Sequence, residues 1–414
     1  MRVPKIHTLD NGIRVVHMRV TSSKIVHCGI MLDVGSRDES LDNQGIAHFW
    51  EHMAFKGTRK RKAFHIINRL ETVGGELNAF TDKEKICFFA SLRDEYFERA
   101  LELLTDITFN AVFPKNQLER ERKVILEEMS MYFDDPDGAL QDEFDALLFP
   151  RHSMGMNILG REETVNKFSR KHFNEFIARH MDTNRVIVSV VGNLPWSKVV
   201  EMAEKHLGKV RPRRSRIKRK PLKLYKPAEK VIQRPITQSR VAIGRTAFGI
   251  HDDRRGLFYF LNNILGGPGM NSRLNLSLRE KHGIVYSVGS QFTPFSDTGV
   301  FLVSFGTDPA QLPKAIELVK REMRKMAEVN MGHRQLSTAK EQFMGQIAMS
   351  EENNNGIMMM MARSLLDMGV VPSIDELFNL VKRTKPYELR RLAEEMFDEK
   401  MMSTLILEPE KNKN

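Results

Sequence analysis

Two histidines and a glutamate fall within five residues of one another, a cluster whose side-chain types could bind a metal and move a proton. They are His48, Glu51 and His52, in the stretch Gly45-Ile46-Ala47-His48-Phe49-Trp50-Glu51-His52-Met53-Ala54-Phe55. After its opening glycine the stretch has neither proline nor glycine, and its apolar content suits a helix. On a helix, His48 and His52 stand one turn apart on the same face. Both imidazoles can then reach a single zinc ion at about 2.0–2.1 Å. Glu51 falls near that ion without being compelled to bind it, where a carboxylate can take a proton from zinc-bound water. Zinc brings the pKa of such water down to about 7 and polarises a peptide carbonyl. The spacing points to metal-assisted hydrolysis. The competing reading is a partly buried helix with two structural histidines and an exposed glutamate.

The order His-x-x-Glu-His is the inverted zinc-peptidase signature. A catalytic zinc needs a third protein ligand. Cys28 and Cys87 both sit in apolar segments and read as core thiols, so the remaining donors are histidines and carboxylates. A charged helical pattern from Gln117 to Met131 offers Glu121, Glu127 and Glu128. Glu121 and Glu128 share a helix face and Glu127 points elsewhere. One of the pair could bind zinc while the other orients a histidine.

These elements need a scaffold, and 414 residues are enough for more than one core. Hydrophobic residues make up 41% and charged residues 28%, an ordinary globular composition that argues against a disordered chain. No run of about 18 apolar residues occurs, so no membrane span is expected. The opening Met1-Arg2-Val3-Pro4-Lys5-Ile6-His7 lacks a signal-like apolar stretch, and the expected location is intracellular, in the cytoplasm. Much of the net charge of +11 lies in KVRPRRSRIKRKPLKLYK, Lys209 to Lys226, broken by Pro212 and Pro221. A solvated linker is expected there and no nucleic-acid partner, since no zinc-finger, RRM or helix-turn-helix signature accompanies the charge.

The segments on either side of that linker repeat in order. A strand at Phe88–Leu92 precedes two helical patterns, as Phe301–Phe305 does in the second half, and each half closes on a strand, Arg185–Val191 and Ser403–Leu407. The expected fold class is α+β: two homologous domains, each an antiparallel-rich sheet with helices packed on one face. The expected division is 1–208, a basic linker 209–228, and 229–414. The run Met358-Met359-Met360-Met361 reads as part of a core helix of the second half.

With these residues in view, the whole chain resembles the pitrilysin and insulinase family, which includes the mitochondrial processing peptidases and their bacterial relatives. The resemblance begins at Leu9-Asp10-Asn11-Gly12, continues through Val34-Gly35-Ser36-Arg37-Asp38-Glu39, and includes the stretch around His48. It implies an α/β roll of the pitrilysin-like type. In such proteins a glutamate ligand follows the second histidine by about three quarters of a hundred residues. Glu128 stands at that distance in Glu121-Arg122-Lys123-Val124-Ile125-Leu126-Glu127-Glu128-Met129. The resemblance therefore implies His48, His52 and Glu128 as ligands of one Zn2+ per chain, with Glu121 as the supporting carboxylate. Gly74-Gly75-Glu76-Leu77-Asn78-Ala79-Phe80-Thr81 resembles the segment leading into a substrate-aligning edge strand, which nominates Asn78 and Ala79 for substrate binding. Ile86 departs from the pattern, standing where relatives often carry threonine.

In the second half, Arg279 and Tyr286, seven residues apart, resemble the family's Arg and Tyr pair, and Leu265-Gly266-Gly267-Pro268-Gly269-Met270 resembles its glycine-rich loop. Arg279 could anchor the substrate, and the Tyr286 hydroxyl could donate to the oxyanion. The loop lacks the ending of a phosphate loop, so nucleotide binding is not expected. The resemblance implies a metalloendopeptidase of short or unfolded polypeptides, working as a homodimer in which Arg279 and Tyr286 serve the opposite subunit. A heteromeric partner is the variant arrangement, and a non-catalytic polypeptide-binding subunit of a processing-peptidase-like complex is the rival. Intact His48, Glu51, His52 and Glu128 argue against that rival.

Overall fold

A computed structural model of the chain describes residues 3–215, 218–222 and 225–410. Met1 and Arg2 of the opening segment, Arg216, Ile217, Lys223 and Leu224 of the expected linker, and residues 411–414 lie outside the described residues. The chain divides into two compact units. The first takes residues up to 130, then 156–220 and 349–371, and the second takes 131–155, 221–348 and 372 onward. The units are therefore not contiguous in sequence. Each receives one segment that sequence order places in the other half.

In the first unit, strands β1 (Lys5–Thr8), β2 (Arg14–Arg19), β3 (Ile25–Leu32), β4 (Glu76–Thr81), β5 (Ile86–Arg93) and β6 (Val186–Gly192) form one sheet in the order β1-β2-β6-β3-β5-β4. Only the β2–β6 pair is parallel. In the second unit, β7 (Glu229–Arg234), β8 (Ser239–Ala247), β9 (Val285–Pro294), β10 (Gly299–Thr307) and β11 (Ser403–Pro409) follow the order β7-β11-β8-β10-β9, again with one parallel pair, β7–β11. The closing strand of each half, β6 or β11, sits inside its sheet. The same layout thus recurs twice, as the repeated order of segments predicts.

Side chains alternate across a strand, so a sheet buried on both sides needs apolar residues at successive positions. β6 satisfies this: Val186, Val188 and Val190 join the core beneath the main helical layer, and Ile187 and Val191 join a second cluster on the other face. That other face is covered by the helix Asn354–Met368, through Ile357, Met358, Met361 and Leu365. The methionine run therefore packs on the sheet of the first unit, which corrects its expected place in the second half. Met358 and Met361 are fully buried, Met360 is exposed, and the Met358 sulfur crowds Gly29, where a β-carbon would come within 2.9 Å of it. In the second unit, Ala139, Leu140, Phe144 and Leu148 cover Ala242, Val300, Leu302, Leu405 and Leu407.

The basic stretch after residue 208 is not wholly solvated. Arg219 is half-buried and pairs with Asp33 at 2.9 Å and Asp38 at 3.0 Å, and Arg37 meets Glu84 at 2.6 Å beside it. Arg219 finds enough carboxylates to repay burial, and their charge raises its pKa despite desolvation. Among the described residues no helix is long and apolar enough to cross a membrane.

Helix α1 (Ile46–Ala54) carries the His-x-x-Glu-His motif and buries Ile46, Phe49, Trp50 and Met53. Phe49 meets Phe173 edge to face at 5.3 Å, and Phe173 stacks on Phe113 at 4.9 Å. Phe173 is fully buried. Phe173→Ala should lower unfolding free energy by about 3–5 kcal/mol, because α1 loses its packing partner and a cavity remains. Urea titration followed by tryptophan fluorescence checks this. A loss under about 1 kcal/mol would show that neighbouring side chains collapse into the gap.

Candidate metal centre and peptide-binding edge

Helix α1 starts abruptly at Gly45, whose φ of 93° is left-handed and whose α-carbon lies against Leu159 and Gly160 so closely that a β-carbon would sit 2.5 Å from the Leu159 carbonyl oxygen. The first amides of the helix need acceptors. Glu39 provides them, its two carboxylate oxygens accepting from the Gly45 and Ala47 amides at 2.8 Å each. Burial pushes the Glu39 pKa up to about 8 against the pull of these amides and of Lys83. This buried cap fixes the direction from which α1 presents its histidines.

After α1 come α2 (Ala63–Glu71), α3 (Phe97–Phe109) and α4 (Lys115–Asp134). Glu121 and Glu128 are two turns apart on α4 and both face the histidines, while Glu127 is exposed. His48 Nε2 lies 3.8 Å from one Glu128 oxygen and His52 Nε2 lies 3.5 Å from the other. The two rings are 4.5 Å apart. One ligand atom from each of His48, His52 and Glu128 can be chosen with all three within 4.8 Å of one another. Two tetrahedral ligands at about 2.0–2.1 Å from zinc lie roughly 3.4 Å from each other, so the spacing fits a shared ion.

Protonation suits the same purpose. Burial and the neighbouring His52 push the His48 pKa down to about 3, so its ring is neutral and has a lone pair to give. His52 Nδ1 is 3.0 Å from Glu121 Oε1. Donating there, it leaves the Nε2 lone pair directed at Glu128. Burial raises the Glu121 pKa, but the hydrogen bonds from His52 and Lys56 outweigh burial and hold it below the ordinary value. Lys56 Nζ stands 2.7 Å from Glu121 Oε2. Burial raises the pKa of Glu128, against the attraction of His52.

Glu51 is not among the residues close enough to share an ion. Burial raises its pKa, and a hydrogen bond from the Thr81 hydroxyl to Glu51 Oε2, 2.6 Å long, opposes the rise. Thr81 ends β4, an edge strand that pairs with β5 on one side only. Asn78 and Ala79 lie on this strand, and the Asn78 side-chain oxygen accepts from the Ala79 amide at 2.8 Å. A cavity of about 260 Å³ lies against β4, lined by Glu51, His52, Phe55, Ile67, Leu77 and Ala79 among others. Ile86 is fully buried opposite Thr81 in β5, so it is a core residue.

Arg279 and Tyr286 belong to the second unit. Arg279 lies in the π-helical segment Asn275–Lys281 and Tyr286 on the edge strand β9, with the guanidinium carbon 5.9 Å from the ring centre. Together with Gly266–Met270 of the glycine-rich loop they line a cleft of about 630 Å³. Tyr286 is 85% exposed, so its hydroxyl is available to a ligand.

Sequence reasoning did not find Thr81, Lys56 or Glu39. Thr81 had a detectable signal, since strand alternation puts it on the same face as Leu77 and Ala79. Lys56 follows His52 by one helical turn. Glu39 reaches α1 across a loop, and no periodicity reports that.

Residues 14–162 match the family described as insulinase (peptidase family M16), and residues 167–343 match the peptidase M16 inactive domain. The uncharacterized zinc protease YmxG of Bacillus subtilis is 32% identical, with 97% of this chain and 98% of that protein covered. An uncharacterized zinc protease of Streptomyces coelicolor is also 32% identical, over 94% of this chain and 86% of its own. Among solved structures, a protease from Helicobacter pylori matches with a TM-score of 0.89 at 22% identity, covering 99% of this chain and 100% of that one. A peptidase M16 inactive domain from Pseudomonas fluorescens matches with 0.91 at 17% identity, covering 100% and 99%.

Proposed function

Because the chain belongs to the insulinase family, peptidase family M16, we propose that it is a zinc-dependent endopeptidase that hydrolyses short or unfolded polypeptides. The observation that carries this reading is the convergence of His48, His52 and Glu128 on one point, with Glu51 beside it. One zinc ion held by those three residues supplies a Lewis acid for water and for the peptide carbonyl. Glu51 takes a proton from the attacking water on Oε1, since Thr81 occupies Oε2, and passes it to the leaving amine. Glu121 keeps His52 in the tautomer whose Nε2 is free to bind.

The substrate adds to β4 as an extended strand, through main-chain hydrogen bonds that demand little of its sequence. Asn78 and Ala79 meet it there, and Asn78 releases the Ala79 amide when the peptide docks. Folded proteins present few free extended segments, hence the preference for unfolded chains. Cys28 and Cys87 are free and buried, which suits a reducing compartment such as the cytoplasm. Incubating the zinc-loaded protein with a pool of unstructured peptides and with stably folded proteins, read by mass spectrometry, tests the substrate class. Peptides should be cut internally and folded proteins left whole. Cleavage confined to folded proteins contradicts the proposal.

The chain carries both the zinc set and the Arg279 and Tyr286 pair. The proposed working form is a homodimer in which that pair anchors substrate and supports the oxyanion in the opposite subunit. Mixing Glu51→Gln with Arg279→Ala protein should restore activity that neither variant has alone. Mixed dimers that form without any recovery would sink the trans arrangement.

A further inference from the structure

We propose that Thr81 is a positioning residue for Glu51, and that β4 thereby registers the proton-accepting carboxylate against the same strand that receives the peptide. The inference rests on the peptidase reading and adds a residue to it. Glu51 has a long side chain with several rotamers, and ordering it costs up to about 2 kcal/mol. Something must choose the productive one. The Thr81 hydroxyl is 2.6 Å from Glu51 Oε2, a length typical of a hydroxyl donating to a carboxylate.

The donor is itself held stiffly. Threonine is β-branched and restricted at χ1. Its backbone pairs with Ile86 in the sheet. The turn that follows is locked by Asp82, whose side chain accepts from the Glu84 and Lys85 amides at 2.8 and 2.6 Å. The other Asp82 side-chain oxygen meets Arg363 at 2.7 Å, and the Asp82 carbonyl accepts from the Ser36 amide at 3.1 Å. Thr81 is therefore fixed to the scaffold from both sides, and Glu51 is fixed to Thr81. Ala79, two residues earlier, faces the same side of the strand. A peptide aligned on β4 is thus aligned with the carboxylate through only two residues of rigid backbone. Displacing a reacting group by about 1 Å can cost on the order of 100-fold in rate.

The experiment compares Thr81→Val, which keeps shape but loses the donor, with Thr81→Ser, which keeps the donor. Glu51→Gln serves as reference. Thr81→Val should lower kcat by about 10–100-fold with KM within about twofold, and Thr81→Ser should recover most of it. Independently of activity, zinc affinity by chelator competition and binding of a fluorescent peptide to metal-free protein should match the wild type in both variants. Crystals of metal-free Thr81→Val should show the Glu51 side chain in more than one rotamer. A Thr81→Val enzyme with wild-type kcat and a single, unmoved Glu51 rotamer overturns the inference while wild-type cleavage stands. No cleavage by the wild type overturns the peptidase reading itself.

Discussion

Glu51→Gln is expected to lower peptide hydrolysis by about 10²–10⁴-fold, the range for removing a general base, while one zinc per chain remains bound. Glutamine keeps the size of the side chain and can still meet Thr81, so packing on α1 is preserved. What it loses is a basic oxygen. Burial raises the Glu51 pKa, which makes the wild-type carboxylate a better proton acceptor than an exposed one. The Glu128 carboxylate cannot substitute, because both its oxygens face the histidines. Steady-state kinetics on an unstructured peptide, with zinc content measured on the same sample, check the prediction. Retention of more than a tenth of the activity would falsify the assignment of Glu51 as the base.

Glu128→Ala is expected to remove zinc from the protein at micromolar concentration, and with it all cleavage. The two histidines alone leave the ion without an anionic ligand. Glu121→Ala should have a smaller effect, weakening zinc by about 10–100-fold, because Glu121 touches His52 and not the point shared by the ligands. Competition with a zinc chelator orders the three proteins: wild type tightest, Glu121→Ala intermediate, Glu128→Ala weakest. If Glu121→Ala lost zinc more completely than Glu128→Ala, the ligand and supporting roles would be exchanged. Both variants should retain far-UV circular dichroism, since Glu128 is only partly buried and, with buried Glu121 replaced, Leu118, Arg122 and Ile125 still anchor the helix.

Much of the site can be read from the sequence because it sits on helices. A spacing of four on α1 and of seven on α4 converts directly into shared faces, and the geometry brings those faces together. The succession of elements within each half is also legible, since the repeat of segments carries over to the repeat of sheets, but the order of strands across each sheet is set by long-range pairing that periodicity does not report. What escaped the sequence is non-local. Nothing in the periodicity of Asn354–Met368 tells that its methionines cover β3 and β6, because an apolar helix face fits any apolar sheet. The ion pairs of half-buried Arg219 escaped for the same reason: a charge run looks solvated until Asp33, Asp38 and Glu84 are known to converge on it. Alternation puts Thr81 on the face of Leu77 and Ala79, but only tertiary packing reveals its contact with Glu51.

The most direct test of the account is to strip the protein of metal and titrate zinc back while following cleavage of one unstructured, fluorescence-quenched peptide. Activity should be absent at the start, rise in proportion to zinc, and level off at one ion per chain, with Glu51→Gln binding the same zinc and staying inactive. A chain that binds one zinc through these residues and still cuts no peptide would contradict the central claim.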